Sequence, residues 1–200
     1  LAPNIVICNR KLGLFTAEDS VKPFDINANG HFFSDGIGLV LLKRFADARS
    51  DNDNIIGLIK GISVHHGGQG AFMAAPQFNA QVDVVNTAMS QAGIEAGEVD
   101  YIEAQGAANT LADSVELKVY DTIFKDRHNK IPIGCIKGHT GHFAGASGII
   151  SLIKALFSMH DNKIVKVKNY FNLNWSDDEA FACRIVDKDE FWQPKYSGGK

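Results

Sequence analysis

Apolar residues recur along this chain at two rhythms, and each rhythm predicts a different element. From Gln77 to Gly93 the positions Phe78, Val82, Val85, Met89 and Ala92 return at steps of three and four. That spacing predicts an amphipathic helix, with Gly93 as its C-cap. A second helix is predicted from Asp113 to Phe124, with Leu117, Tyr120 and Phe124 on one face. A third, from Gly141 to His160, is apolar over much of its circumference through Phe143, Ala146, Ile150, Ile153 and Phe157. Such a helix belongs between two layers of a protein. The elements legible in the chain are too few to supply both, so much of its partner surface is expected to lie outside it.

Shorter runs read as strands. "GIGLVLLKRF" (36–45) predicts a buried strand, and "IIGLIKGISVHH" (55–66), rich in β-branched residues, predicts a long one ended by "GGQG" (67–70). The polar stretch "ADARSDNDN" (46–54) separates them. "VDYIEA" (99–104), "IPIGCIK" (131–137), "KIVKV" (163–167) and "FACRIV" (181–186) predict four more strands. Strands alternating with helices imply a parallel or mixed sheet joined by helical crossovers.

Composition narrows the classes of function. Two hundred residues, 45% of them apolar, suit one domain or part of a larger one. A net charge of −3 with well-mixed signs gives no electrostatic case for nucleic acid or an anionic membrane. No run of 18 apolar residues exists to span a bilayer. The start, "LAPNIVICNRKLG", has neither the basic n-region nor the apolar h-region of a signal peptide, and its lack of Met suggests a piece of something longer. Cys8, Cys135 and Cys183 are odd in number, far apart and in apolar settings. They are expected to be reduced thiols packed as small core residues, in a cytoplasmic protein.

Three stretches invite chemistry. "DINANGHFFSDG" (25–36) opens like a calcium loop with Asp25, Asn27, Asn29 and Gly30, but Gly36 stands where a bidentate Glu is required. The reading is a turn whose side chains satisfy backbone groups. "CIKGHTGH" (135–142) carries Cys135, His139 and His142 without a fourth ligand, so no metal site is expected. In a continuing strand Cys135 and Lys137 would share a face. A neutral His where a strand hands over to a helix can donate a hydrogen bond to a developing oxyanion, although a buried packing role is the ordinary alternative. "GHFAGASG" (141–148) lacks dinucleotide-site spacing; its small residues let the helix approach another backbone.

Three longer blocks then point to a family. "KPFDINANGHFFSDGIGLVLLKR" resembles "KPFDxxxxGFxxGEGxGxxxLKR", "VDYIEAQGAANTLADSVEL" resembles "VDYVEAHGTGTPLGDPIEL", and "IPIGCIKGHTGHFAGASGIISLIK" resembles "xxIGSVKSNIGHxxAAAGxxGLIK". All three lie, in order, in the ketosynthase (β-ketoacyl-acyl-carrier-protein synthase) domains of fatty acid and polyketide synthases, within the thiolase superfamily. The resemblance implies a layered α/β/α/β/α fold with mixed sheets, incomplete in this chain. Residues 1–70 would be the end of its N-terminal half and 71–200 most of its C-terminal half. The family's nucleophilic Cys would lie upstream of Leu1, and "FWQPKYSGGK" stops before the expected final strand and gating Phe.

The resemblance also implies roles. Lys137 falls on the catalytic Lys that holds the second His, His142 on that His, and Gln105 on the first His. Asn109 and Thr140 fall where substrate would bind. Ala107, Ala108 and Asn109 replace Thr, Gly and Thr, while Asp113 and Glu116 keep an acidic pair read as structural. The resemblance implies acyl chains carried on the phosphopantetheine of an acyl carrier protein, no other cofactor, and a homodimer or ketosynthase heterodimer made through the N-terminal half. A glutamine amide can donate to an oxygen but cannot transfer a proton at neutral pH. The expected function is therefore acyl transfer or gatekeeping without elongation. The alternatives are a non-catalytic ketosynthase partner, or condensation that persists with Gln105 as a weaker donor.

Overall fold

The computed structural model describes residues 3–70, 75–172 and 181–192. In chain order their elements are α1 (Pro3–Lys11), α2 (Phe45–Ser50), α3 (Phe78–Ala92), β1 (Ile102–Glu103), α4 (Thr110–Phe124), β2 (Ile131–Gly134), α5 (Lys137–Thr140), α6 (Ser147–Asp161), β3 (Lys163–Ile164), β4 (Cys183–Ile185) and β5 (Glu190–Phe191). Strands β1, β2 and β4 form a parallel sheet in the order β1-β2-β4, with Ile102 opposite Ile133 and Ile131 opposite Cys183. Helix α4 is the crossover between β1 and β2. Strands β3 and β5 pair antiparallel. This is the mixed α/β architecture that the alternating elements predict.

The core lies between this sheet and its helices. Phe24, Leu117, Phe124, Ile131, Ile133, Cys135, Val167 and Cys183 are buried together. Each large apolar side chain removed from water in this way stabilises the fold by about 1.5–3 kcal/mol. Helix α3 packs on α4 and ends where its periodicity stops, with Gly93 in the left-handed region at φ 63°. Helix α4 begins three residues before the predicted Asp113. Asn109 caps it, its side-chain oxygen accepting from the N–H groups of Leu111 and Ala112 at 3.1 Å each.

Beneath the sheet, Lys154 of α6 reaches Glu103 at 2.6 Å and the Tyr101 hydroxyl at 2.9 Å. The other oxygen of Glu103 accepts the Ile136 N–H at 2.8 Å. One buried carboxylate thus ties β1, α6 and the turn after β2. The segment 25–36 opens in a turn, as its Asn and Gly residues suggest. Asp25 Oδ1 accepts both the backbone and side-chain N–H of Asn27, and Oδ2 accepts the N–H groups of Phe171 and Asn172 at 2.7 and 2.9 Å.

Three expectations need correction. Strand β2 ends at Gly134, and Lys137 opens the helical turn α5, so Cys135 and Lys137 do not share a strand face. The third helix begins at Ser147 after a 3-10 turn at Ala144–Ala146, not at Gly141. It is thinly covered within this chain, in keeping with partner surface expected outside it: Lys154 and Ser158 are its buried residues, and Phe157 is 64% exposed. Cys8 is exposed rather than core, because α1 packs none of its residues away from solvent.

The largest correction concerns 36–45 and 55–66. Outside the start of α2 they run without regular structure, and their large side chains face outward: Ile37 is 84% exposed, Leu39 86% and Leu41 98%. Gly38 is one of the residues that face inward. A Cβ there would come within 2.7 Å of Ile149 on α6. A strand needs a ladder partner, and among the described residues no strand is hydrogen-bonded to these ribbons. The expected final strand and gating residue concern a C-terminal end whose residues 193–200 lie outside the described residues.

Candidate active site

Three segments meet where β1 and β2 end. The first is the loop 104–109 after β1. Glu116 of α4 receives its backbone: the N–H of Gln105 donates at 2.7 Å and that of Gly106 at 2.9 Å. Tyr120 donates its hydroxyl to the same carboxylate at 2.7 Å. Asp113 accepts the Phe24 N–H at 2.8 Å. Burial, with the neighbouring Glu116, pushes the Asp113 carboxyl up to about 7. The acidic pair thus shapes the loop, as the sequence suggested. Gly106 is required by geometry: its φ is +48°, and a Cβ would lie 2.6 Å from Cys135 Sγ.

The second segment is 135–142. Cys135 is fully buried, and burial pushes its thiol up to about 12. Its Sγ donates to the Gln105 and Gly106 carbonyls at 3.5 and 3.8 Å. It is a packing residue and not a nucleophile. Lys137 is buried, and its ammonium donates to the backbone carbonyl of Gln105. It therefore holds the loop, and among the described residues no hydrogen bond joins it to His142, the residue the resemblance gave it to hold. Thr140 is half-buried, with its hydroxyl spent on the Ile136 and Gly141 carbonyls. The Asn109 side-chain oxygen is spent on the α4 cap.

The third segment is 29–34. The Gly30 N–H donates to Ala108 O at 2.7 Å. The His142 N–H donates to Phe32 O, and the Ser34 N–H donates to His142 O, each at 3.0 Å. The segment therefore ties the other two together and carries a residue that the sequence reading missed. The His31 ring stacks on that of His142, with centroids 4.6 Å apart and planes 24° apart. Phe15 and Phe33 bracket the stack edge-on. The quoted family block has Phe at this position.

Hydrogen-bond partners fix the two tautomers. The Ala144 N–H donates to His142 Nδ1 at 2.8 Å, so Nδ1 carries the lone pair and Nε2 the hydrogen. Ser147 Oγ lies 3.3 Å from the same Nδ1. His31 Nδ1 lies 3.3 Å from the Ala107 carbonyl, which can only accept, so its hydrogen is on Nδ1 and the lone pair on Nε2. Neither Nε2 has a hydrogen-bond partner among the described residues. Burial, then the neighbouring His31 and Lys137, bring His142 down to about 4. Burial also lowers His31, reinforced by Lys137 and opposed by the Ala107 bond. At neutral pH the site holds two uncharged imidazoles beside one buried cation.

Gln105 is brought to this site by its backbone, while its side chain is exposed and its carboxamide has no partner among the described residues. His139 is exposed and outside the stack. Among the described residues no three His, Cys, Asp or Glu side chains converge as a metal site, and no helix is long and apolar enough to cross a membrane.

Two family models match the chain: "Beta-ketoacyl synthase, C-terminal domain" over residues 56–171 and "Beta-ketoacyl synthase, N-terminal domain" over residues 1–48. Among curated proteins it is similar to the non-reducing polyketide synthase pks12 of Talaromyces marneffei, 32% identical over 82% of this chain and 9% of that one. It is also similar to the polyketide synthase PksN of Bacillus subtilis, 34% identical over 96% of this chain and 4% of that one. Among solved structures, the oxazolomycin ketosynthase domain OzmH KS7 of Streptomyces albus superposes with a TM-score of 0.92 at 28% identity, over 98% of this chain and 35% of that one. The ketosynthase from module 6 of the Bacillus subtilis bacillaene synthase superposes at 0.87 with 24% identity, over 98% of this chain and 36% of that one, a likeness of fold. The chain thus spans less than a tenth of these curated relatives and about a third of these solved domains.

Proposed function

The chain belongs to the β-ketoacyl synthase family, with the thiolase-like α/β fold of polyketide-synthase ketosynthase domains, and on that premise we propose that its domain passes acyl thioesters on without decarboxylative condensation. The observation that carries the reading is Gln105. Glu116 and Lys137 hold its backbone at the mouth of β1, in the loop where the family block has a catalytic imidazole. Releasing carbon dioxide from an extender thioester builds an enolate oxyanion, and donors aimed at that oxygen supply most of the rate. A carboxamide supplies one neutral donor and no proton transfer. Thioester exchange asks less: a thiol, and a donor for the tetrahedral oxygen. His142 Nε2–H is suited to that donation, being neutral at working pH.

In this reading Lys137 fixes the loop, His142 binds the oxyanion, and Thr140 and Asn109 line the approach. The acyl group arrives on the phosphopantetheine arm of an acyl carrier protein, with no other cofactor. Residues 1–70 close the N-terminal half of a dimeric cytoplasmic domain, and 71–200 form most of its C-terminal half. The test supplies the intact domain with acyl- and malonyl-loaded carrier proteins and follows both by mass spectrometry. Acyl exchange between carriers without ketoacyl product is expected. Ketoacyl product at the rate of an elongating ketosynthase would overturn the reading, and a domain that accepts no acyl group would instead be a structural partner.

A further inference from the structure

Sequence comparison counts one imidazole lost from this site, but the geometry counts one gained. We propose that His31 is a catalytic general base for the thiol that enters the acyl thioester, working opposite His142, which binds the oxyanion. This deepens the acyl-transfer reading and rests on it.

The argument starts from complementarity. The two stacked rings carry opposite tautomers: His142 presents Nε2–H, and His31 presents the Nε2 lone pair. A tetrahedral thioester adduct needs both, a donor at the carbonyl oxygen and an acceptor for the entering S–H proton. Neither Nε2 is used by the described residues, although both rings are partly buried. Beyond the one bond its Nδ1 makes to the Ala107 carbonyl, packing does not call for His at position 31. Phe fills the same space between Phe15 and His142 without desolvating two nitrogens. Burial, helped by the nearby Lys137 ammonium, disfavours a positive charge on His31, so its lone pair stays available at neutral pH. Gln105 cannot take this role, since a carboxamide has no useful basicity.

The step balances. The S–H bond of the entering alkyl thiol breaks, and its proton passes to His31 Nε2. The sulfur bonds to the acyl carbon while the carbonyl oxygen becomes an oxyanion held by His142 Nε2–H. The adduct collapses, the old C–S bond breaks, and the departing thiolate recovers the proton from His31. No oxidant, metal or further reactant is consumed.

The test uses the acyl-loaded intact domain and two small acceptors. One is an alkyl thiol, N-acetylcysteamine, mostly protonated at about pH 7.5 as its pKa class dictates. The other is an aryl thiol that is already ionised there. His31→Phe keeps the ring of the stack, and His31→Gln keeps a donor for Ala107. Both should slow transfer to the alkyl thiol by about 10²-fold, in the range for a lost general base. Transfer to the aryl thiol should change less than about 3-fold, since no proton remains to be removed. Equal slowing with both thiols would assign His31 a structural role and overturn the inference, as would an unchanged alkyl rate in either variant. If wild type passes acyl groups to neither thiol, the acyl-transfer reading fails first and takes this one with it. That failure appears in the unmutated domain and is therefore distinct from failure of the His31 assignment.

Discussion

The parallel sheet and the two ribbons at 36–45 and 55–66 are written in the same alphabet of Ile, Leu, Val and Gly, yet they end in opposite environments. Ile131 and Ile133 are fully buried between α4 and the chain around Val167, while Leu41 is 98% exposed. The difference does not lie in hydrophobicity. The sheet strands have neighbours in register on both sides of β2, and the ribbons have none among the described residues. An apolar pattern specifies which face wants cover; only a partner at the right distance supplies it.

That contrast can be broken at its strongest point first. Lys154→Met strands the buried Glu103 carboxylate, which then holds the Ile136 N–H and the Tyr101 hydroxyl without its cation. A loss of about 3–5 kcal/mol is expected in urea unfolding of the intact domain. A loss below about 1 kcal/mol would mean that water already reaches that carboxylate. Next, Ile133→Ala opens a cavity in the sheet and should cost about 2–5 kcal/mol.

The pH dependence sharpens the site half of the comparison. His142 falls from 6.5 to about 4 on folding, so its contribution is fully present above 6.5 and is lost as pH falls through about 4. Asp113 works the other way: raised from 3.8 to about 7, its contribution is present below 3.8 and lost as pH rises through about 7. Subtracting the stability curve of His142→Asn should isolate the first slope, and that of Asp113→Asn the second. A His142 ring that NMR shows protonating near 6.5 would remove the first. The smallest effect is expected at Leu41→Ala, within about 0.5 kcal/mol for this chain. A cost matching that of Ile133→Ala would show that the ribbon is covered in solution and end the contrast.

Legibility followed the range of the interaction. The periodicity of Phe78, Val82, Val85 and Met89 gave α3 and its Gly93 cap, because a helix is read from residues a turn apart. The loop with Gln105 and the turn with Lys137 meet because β1 and β2 lie side by side in the sheet. Cys8 misled because apolar neighbours in sequence do not bury a helix that has no partner. The strand was drawn too far, through Lys137, because Cys135 to Lys137 carries no local stop signal while the bond from Ile136 to Glu103 that turns the chain is 33 positions away. His31 was missed for the same reason at greater range. Nothing in "NANGHFFSDG" foretells a ring 111 positions distant in sequence, and only the three-dimensional register of Phe33 with His142 reveals it.

Asp25 carries a consequence for how the fold is reached. Its bonds to Phe171 and Asn172 join positions 146 and 147 residues apart, most of the length of the described chain. Closing a loop of that length costs roughly 4 kcal/mol of chain entropy, about all that a pair of hydrogen bonds to a carboxylate returns. The clasp can therefore close only after the sheet has already drawn its ends together, and it should be among the first contacts to release. Amide exchange at Phe171 and Asn172 would then time the last event of assembly.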